Sequence, residues 1–136
     1  RDKAVKALEH YLRRAEDIDD LEMRKIWKAL FYCMWHSDKP KVQAELADKI
    51  GGLMHSMVAG QEWLFVRIFW QTMLREWRLI DRLRLNKFYT LIRCSLEHSV
   101  RRLRETQWAA EETALFAEVL EEGPLSVASP ASIRYY

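Results

Sequence analysis

Glycine and proline are scarce, with four and three copies in 136 residues. A chain so poor in turn formers breaks in few places, and no stretch alternates polar and apolar residues with period two, so helices are favoured over strands. Four glycines also leave little means of building a backbone cradle for phosphate. No glycine-rich phosphate loop, HExxH or GxSxG pattern occurs, so the usual nucleotide and hydrolase signatures are missing. Two cysteines, Cys33 and Cys94, make no disulfide framework, and a reducing compartment is expected. The longest apolar run, Trp63 to Phe69, is interrupted by Arg67 and is far too short to span a bilayer. No secretory signal is visible. The chain begins at Arg1 rather than Met, so it is expected to be a piece of a longer protein.

What the chain does have is the makings of a core. Hydrophobic residues form 49% and charged residues 31%, a folded composition on a length that suits one compact domain. Six Trp, five Tyr and five Phe are dense for this length and imply a bulky core or exposed aromatic docking points. The net charge of +2 hides an uneven distribution. Residues 1–59, 60–108 and 109–136 carry +1, +5 and −4. A basic middle and an acidic end suggest polar partner surfaces.

Helical periodicity recurs along the chain. A first helix is expected over about residues 2–16, with Val5, Leu8, Leu12 and Ala15 on one face. Asp17, Asp19 and Asp20 then offer N-caps for a second helix over about 20–36, whose apolar face carries Met23, Trp27, Leu30, Phe31 and Met34. Ser37 or Asp38 is placed to cap a third, with Pro40 in its first turn. Its stripe of Val42, Leu46, Ile50, Leu53 and Met57 runs on to Gly60, and Gly51-Gly52 inside it marks a kink or a close helix crossing. The fourth, over about 61–79, is apolar nearly all round, as a central helix must be. Asp81 caps a fifth that runs to about 105, and a sixth spans about 108–122. Short links put sequential helices antiparallel. The expected fold is all-α with about six helices, either stacked antiparallel hairpins of the HEAT or armadillo kind or a compact bundle. Residues 1–122 form the single helical domain, and 123–136, rich in Ser, Ala and Pro, form a loop or the start of an extension. No clean repeat of fixed period accompanies the pattern.

Candidate chemistry is thin. Cys33 and His36 share one helix face and Cys94 and His98 another, so two such faces could make a zinc site. Both thiols sit among apolar residues, where cysteine is a small filler, and the pairs lack a short-loop knuckle. No metal or cofactor is expected. His10 and His55 have no nucleophile near them in sequence. Glu62, Glu76 and Asp81 read as structural, Asp81 as a helix cap and Glu76 as the partner of a neighbouring arginine. Nothing supplies the geometry that acid–base work needs, and no enzyme is expected.

The arginines carry the stronger signal. Arg75, Arg78, Arg82, Arg84 and Lys87 crowd the turn between the fourth and fifth helices. Arg93, Arg101 and Arg104 follow on the polar side of the fifth, with Arg102 beside them. Guanidinium forks suit phosphate, so this set is the candidate surface for RNA or acidic partners. Against that, Arg93, Glu97 and Arg101 are spaced to satisfy one another, and Arg75 and Arg78 suit the negative end of a helix. Trp35, Trp108 and Tyr135-Tyr136 are the aromatics left over for a partner surface.

Two long words stand out, WKALFYCMWHSDKPKVQAELA from Trp27 to Ala47 and FWQTMLREWRLIDRLRLNKFYTL from Phe69 to Leu91. With the opening RDKAVKALEHYL and the later LFAEVLEEGPLS, they resemble the ribosomal RNA-processing protein 1 family over residues 1–126. Asn86 and His36 depart from the pattern, standing where acidic and apolar residues are usual. The resemblance implies a non-catalytic scaffold of the nucleus and nucleolus, acting in large ribosomal subunit biogenesis and pre-rRNA processing. Its implied partners are assembly factors and pre-ribosomal RNA, with no membrane and no small-molecule substrate. The alternative is a helical protein–protein adaptor that makes no direct RNA contact.

Overall fold

The computed structural model describes residues 2–127, 129–130 and 133. It contains six α-helices and, among the described residues, no strand. They are α1 (Asp2–Arg14), α2 (Asp20–Trp35), α3 (Pro40–Gly52), α4 (Glu62–Glu76), α5 (Arg82–Glu105) and α6 (Ala110–Glu122). Tight 3₁₀ turns, Leu53–Ser56 and Trp77–Leu79, extend α3 and α4.

Local chemistry sets most boundaries. Past the end of α1 at Arg14, Asp17 adopts φ 54° and turns the chain towards α2. Asp19 then caps α2 by accepting from the Glu22 N–H at 2.8 Å. Asp81 caps α5 in the same way, accepting from the Arg84 N–H at 3.0 Å. At the far end of α5, Gln107 and Trp108 adopt φ 57° and 59°, and the Trp108 N–H reaches back to the Leu103 carbonyl at 2.8 Å. That turn delays α6 to Ala110, two residues past its expected start.

The third helix departs from expectation at both ends. Its N-cap is Lys39, without a side-chain bond, rather than Ser37 or Asp38. The Ser37 hydroxyl instead turns back and donates to the Met34 carbonyl at 2.7 Å. Pro40 does occupy the first turn. The α-helix stops at Gly52, short of Met57, and tightens into a 3₁₀ turn.

The packing places alternate helices side by side. Trp27 of α2 donates its indole N–H to the Phe65 carbonyl of α4 at 2.8 Å, and Phe31 and Tyr32 face Thr72 and Arg75 further along, so these helices run parallel. Trp63 of α4 meets Phe116 of α6 at 5.3 Å, while Trp70 lies against Gly123. In the other layer the start of α5 faces the start of α3, and Cys94 and His98 face Gly51. Short links with parallel alternate helices make a two-layer stack of hairpins. No fixed-period repeat marks it in sequence.

Helix α4 is the middle of this stack. At 100° per residue, Phe65, Phe69 and Thr72 point towards α2, while Trp63, Arg67 and Trp70 point the opposite way towards α6. Trp77 packs edge-on against Tyr89 of α5 at 5.2 Å. Only the sliver carrying Gln71 and Arg75 is exposed. Beyond α6, Ile133 is buried against the core.

The α3–α5 crossing depends on glycine. A Cβ on Gly51 would lie 3.0 Å from the His98 ring and 3.2 Å from the Cys94 carbonyl. A Cβ on Gly52 would meet nothing closer than 3.4 Å. Gly51→Ala is therefore expected to lower stability by about 1–3 kcal/mol through overpacking. Gly52→Ala is expected to be neutral or to stabilise by up to about 1 kcal/mol, because alanine loses less backbone entropy. Chemical denaturation of the two variants checks the pair, and equal effects would refute the crossing as the cause.

Candidate nucleic-acid interface

The nine basic residues singled out in the sequence fall into two populations. Lys87 is buried, at 6% exposure. Its ammonium donates to the carbonyls of Trp35 at 2.5 Å and Ser37 at 2.7 Å, clamping the α2–α3 link onto α5. Arg84 lies half-buried with its guanidinium 4.6 Å from the Trp35 ring and pairs with Asp81. Arg102 is wedged between Glu62 at 3.3 Å and Glu112 at 3.2 Å, joining α4, α5 and α6. These three are engaged in contacts within the fold. Asp81 apart, the groups they meet lie on other elements, out of reach of sequence spacing.

The remaining six are exposed. Arg75 pairs with its neighbour Glu76 at 3.2 Å, as expected for Glu76. Arg93 donates to Thr90 at 3.1 Å, and Arg101 pairs onward with Glu105 at 3.4 Å. Arg78, Arg82 and Arg104 have no acidic partner among the described residues. Arg75, Arg78 and Arg82 thus form a cationic turn between α4 and α5. Leu79 and Leu83, 69% and 93% exposed, lie in the same turn.

The leftover aromatics also divide. Trp35 is packed by Phe31, Phe88 and Arg84. Trp108 is 53% exposed. Tyr135 and Tyr136 lie outside the described residues.

The two Cys–His pairs are not brought together. Cys33 faces α1 beside Ala4 and Leu8, and His36 stacks on Tyr32. Cys94 faces α3, and burial pushes its thiol up, with Asp48 and Glu97 adding to the effect, so it is not an activated thiolate. Among the described residues, no group of three or more His, Cys, Asp or Glu is placed to hold a metal ion.

One constellation has no signature in the sequence. Asp48, His98 and His55 form a chain: the His98 Nε2 is 2.9 Å from the Asp48 carboxylate, and its Nδ1 is 3.0 Å from the His55 Nε2. It ties α3 and its 3₁₀ extension to the middle of α5. Burial holds the His55 pKa below its ordinary value, and the neighbouring His98 lowers it further. Glu105 opposes that shift, while Arg101 and Arg102 reinforce it.

The fold and this surface define an all-helical domain of stacked hairpins that presents a cationic turn. The sequence profile of the family described as "Nucleolar protein, Nop52" matches residues 1–136, and the chain belongs to that family. A human relative, Ribosomal RNA processing protein 1 homolog B, is 42% identical over 144 residues, covering 100% of this chain and 19% of that protein. Human Ribosomal RNA processing protein 1 homolog A is 43% identical over 126 residues, covering 88% of this chain and 27% of that protein. The Caenorhabditis elegans Ribosomal RNA processing protein 1 homolog is 32% identical over 130 residues, covering 93% of this chain and 33% of its own length. The chain therefore spans about a fifth to a third of these relatives.

Two outcomes follow from the polar contacts. Lys87→Met removes the ammonium from the Trp35 and Ser37 carbonyls, leaving them the weaker donors Arg84 Nε at 3.4 Å and Gln43 Nε2 at 3.0 Å, and is expected to cost about 1–3 kcal/mol in denaturation, with the exposed cations unaltered. His55, with its folded pKa depressed, binds a proton more readily when unfolded. Its contribution is fully present above about pH 6.5 and is lost as pH falls through that value towards the folded pKa. The thermal midpoint is expected to drop on acidification, and His55→Gln to flatten that drop. Identical profiles for both proteins would remove His55 as the cause.

Proposed function

We propose that this chain is the helical part of a non-catalytic scaffold of the nucleus and nucleolus that acts in large ribosomal subunit biogenesis and pre-rRNA processing. There it holds assembly factors and pre-ribosomal RNA in place. Support comes from the family description and from relatives named for ribosomal RNA processing. The observation that carries the RNA contact is the turn where Arg75, Arg78 and Arg82 are exposed, two of them without acidic partners. Guanidinium groups left without protein partners on a rigid turn suit phosphate, and releasing counterions drives such binding. No described helix is long and apolar enough to cross a membrane. No cofactor or small-molecule substrate enters this reading.

A second reading is a protein adaptor without RNA contact. Leu79 and Leu83 favour it, because large exposed apolar side chains beside arginine are the usual makings of a protein anchor.

Three phosphate contacts predict that affinity for a pre-rRNA fragment falls roughly twenty- to fortyfold between about 50 and 200 mM salt. Arg75→Glu, Arg78→Glu and Arg82→Glu together are expected to abolish that dependence with the fold intact. A flat salt response in the unaltered chain overturns the RNA role of these arginines. Loss of protein partners with RNA crosslinks retained favours the adaptor.

A further inference from the structure

A cleft of about 240 Å³ opens between α2 and α4, lined by Lys28, Phe31, Tyr32, Thr72, Arg75 and Glu76. It is smaller than the roughly 300–1,000 Å³ of pockets that take drug-sized ligands, so it suits one flat ring system. Its character is set by Tyr32, whose side chain is half exposed at 50%. The ring is braced rather than loose. Phe31 meets it edge-on at 6.0 Å, and His36 lies nearly parallel at 6.3 Å with 22° between the planes. Two cations stand beside it. Lys28 is exposed one helical turn before Tyr32 on the same face of α2, and Arg75 reaches in from the exposed sliver of α4. Glu76 is held in the cleft by the Arg75 Nε at 3.2 Å.

We propose that this cleft is a binding site for a single unpaired nucleotide of RNA, with the base stacked on Tyr32. The inference rests on the RNA-contacting reading above and gives it a subsite. A braced aromatic ring flanked by cations is what recognition of a splayed base requires: the ring takes the π-face and the cations take the phosphate. The Glu76 carboxylate is an acceptor for N–H groups on the base edge, as carboxylates are for the amino group of cytosine. The same carboxylate argues against an acidic peptide. A peptide carboxylate approaching Lys28 and Arg75 would sit beside Glu76. A nucleotide separates its anionic phosphate from its hydrogen-bonding edge by the width of a sugar. A duplex is also excluded, because its bases are stacked and paired and cannot enter a cleft between two helices. Arg78 and Arg82 follow Arg75 in the chain, so a strand leaving the cleft has the cationic turn as its continuation.

The test is fluorescence anisotropy of the 136-residue chain with a labelled, unstructured RNA oligonucleotide and with the same sequence annealed to its complement. The single strand is expected to bind at least roughly fivefold more tightly. Tyr32→Ala is expected to weaken single-strand binding roughly five- to hundredfold, the range for loss of one stacked base. Tyr32→Phe keeps the ring and is expected to stay within about twofold. Tyr32→Ala leaves the salt slope unchanged, whereas Lys28→Ala lowers it by about one. Circular dichroism melting confirms that each variant is folded. Unchanged affinity in Tyr32→Ala, or an equal loss on duplex, overturns the proposal. Tyr32→Ala that spares RNA but weakens a protein partner also overturns it, in favour of a protein occupant. If Arg78→Glu with Arg82→Glu removes RNA binding while Tyr32→Ala does not, the subsite alone falls. If the unaltered chain binds no RNA at low salt, the reading it rests on falls with it.

Discussion

Helix α4 must be hidden from water on almost every side, and the rest of the domain follows from that. Its aromatic and aliphatic residues occupy faces about 180° apart, so one neighbour cannot cover them. Helix α2 takes one face, α6 takes the opposite face, and the α3–α5 layer closes a third. Enclosure also removes solvent from the start of α4. Glu62 is buried in its first turn, near the positive end of the helix dipole, and accepts from the Gly60 N–H at 3.0 Å as well as from Arg102. Arg102 is drawn inward to meet that buried carboxylate and also holds Glu112 of α6, so an ion-pair network pins the third hairpin to the core.

A parallel clamp operates in the other layer. The α2–α3 link exposes carbonyls at Trp35 and Ser37 that no helix satisfies, and Lys87 supplies the donor from α5. Gln43 adds a second donor to Ser37 at 3.0 Å. A buried ammonium is tolerated here because strong acceptors surround it.

The fold was largely readable from periodicity. All six helices, the Asp81 cap and the central position of α4 follow from spacing and from a few breakers, and of the kink or close crossing that the glycine pair offers, Gly51 makes the crossing. What local pattern could not settle were choices between near and distant partners. Ser37 looked like a cap for the helix ahead, yet its hydroxyl serves the helix behind. The surface was less legible than the core. Lys87, Arg84 and Arg102 look in sequence like Arg78 and Arg82, and only contacts 40 to 52 residues away separate the internal set from the exposed one. The Asp48–His98–His55 chain escaped for the same reason, since its members lie 43 and 50 residues from one another. The cleft at Tyr32 was likewise invisible, because half its wall belongs to α4.

The opposed faces of α4 also separate charge across the molecule. Lys28 and Arg75 lie on its α2 side, while Glu118 and Glu122 of α6 lie on the other, only partly offset by Arg67 at 3.8 and 3.5 Å. The domain is therefore an electric dipole despite its small net charge. In the field of a polyanion it experiences a torque as well as an attraction, so it arrives already turned, cationic edge first, with its acidic flank facing outward.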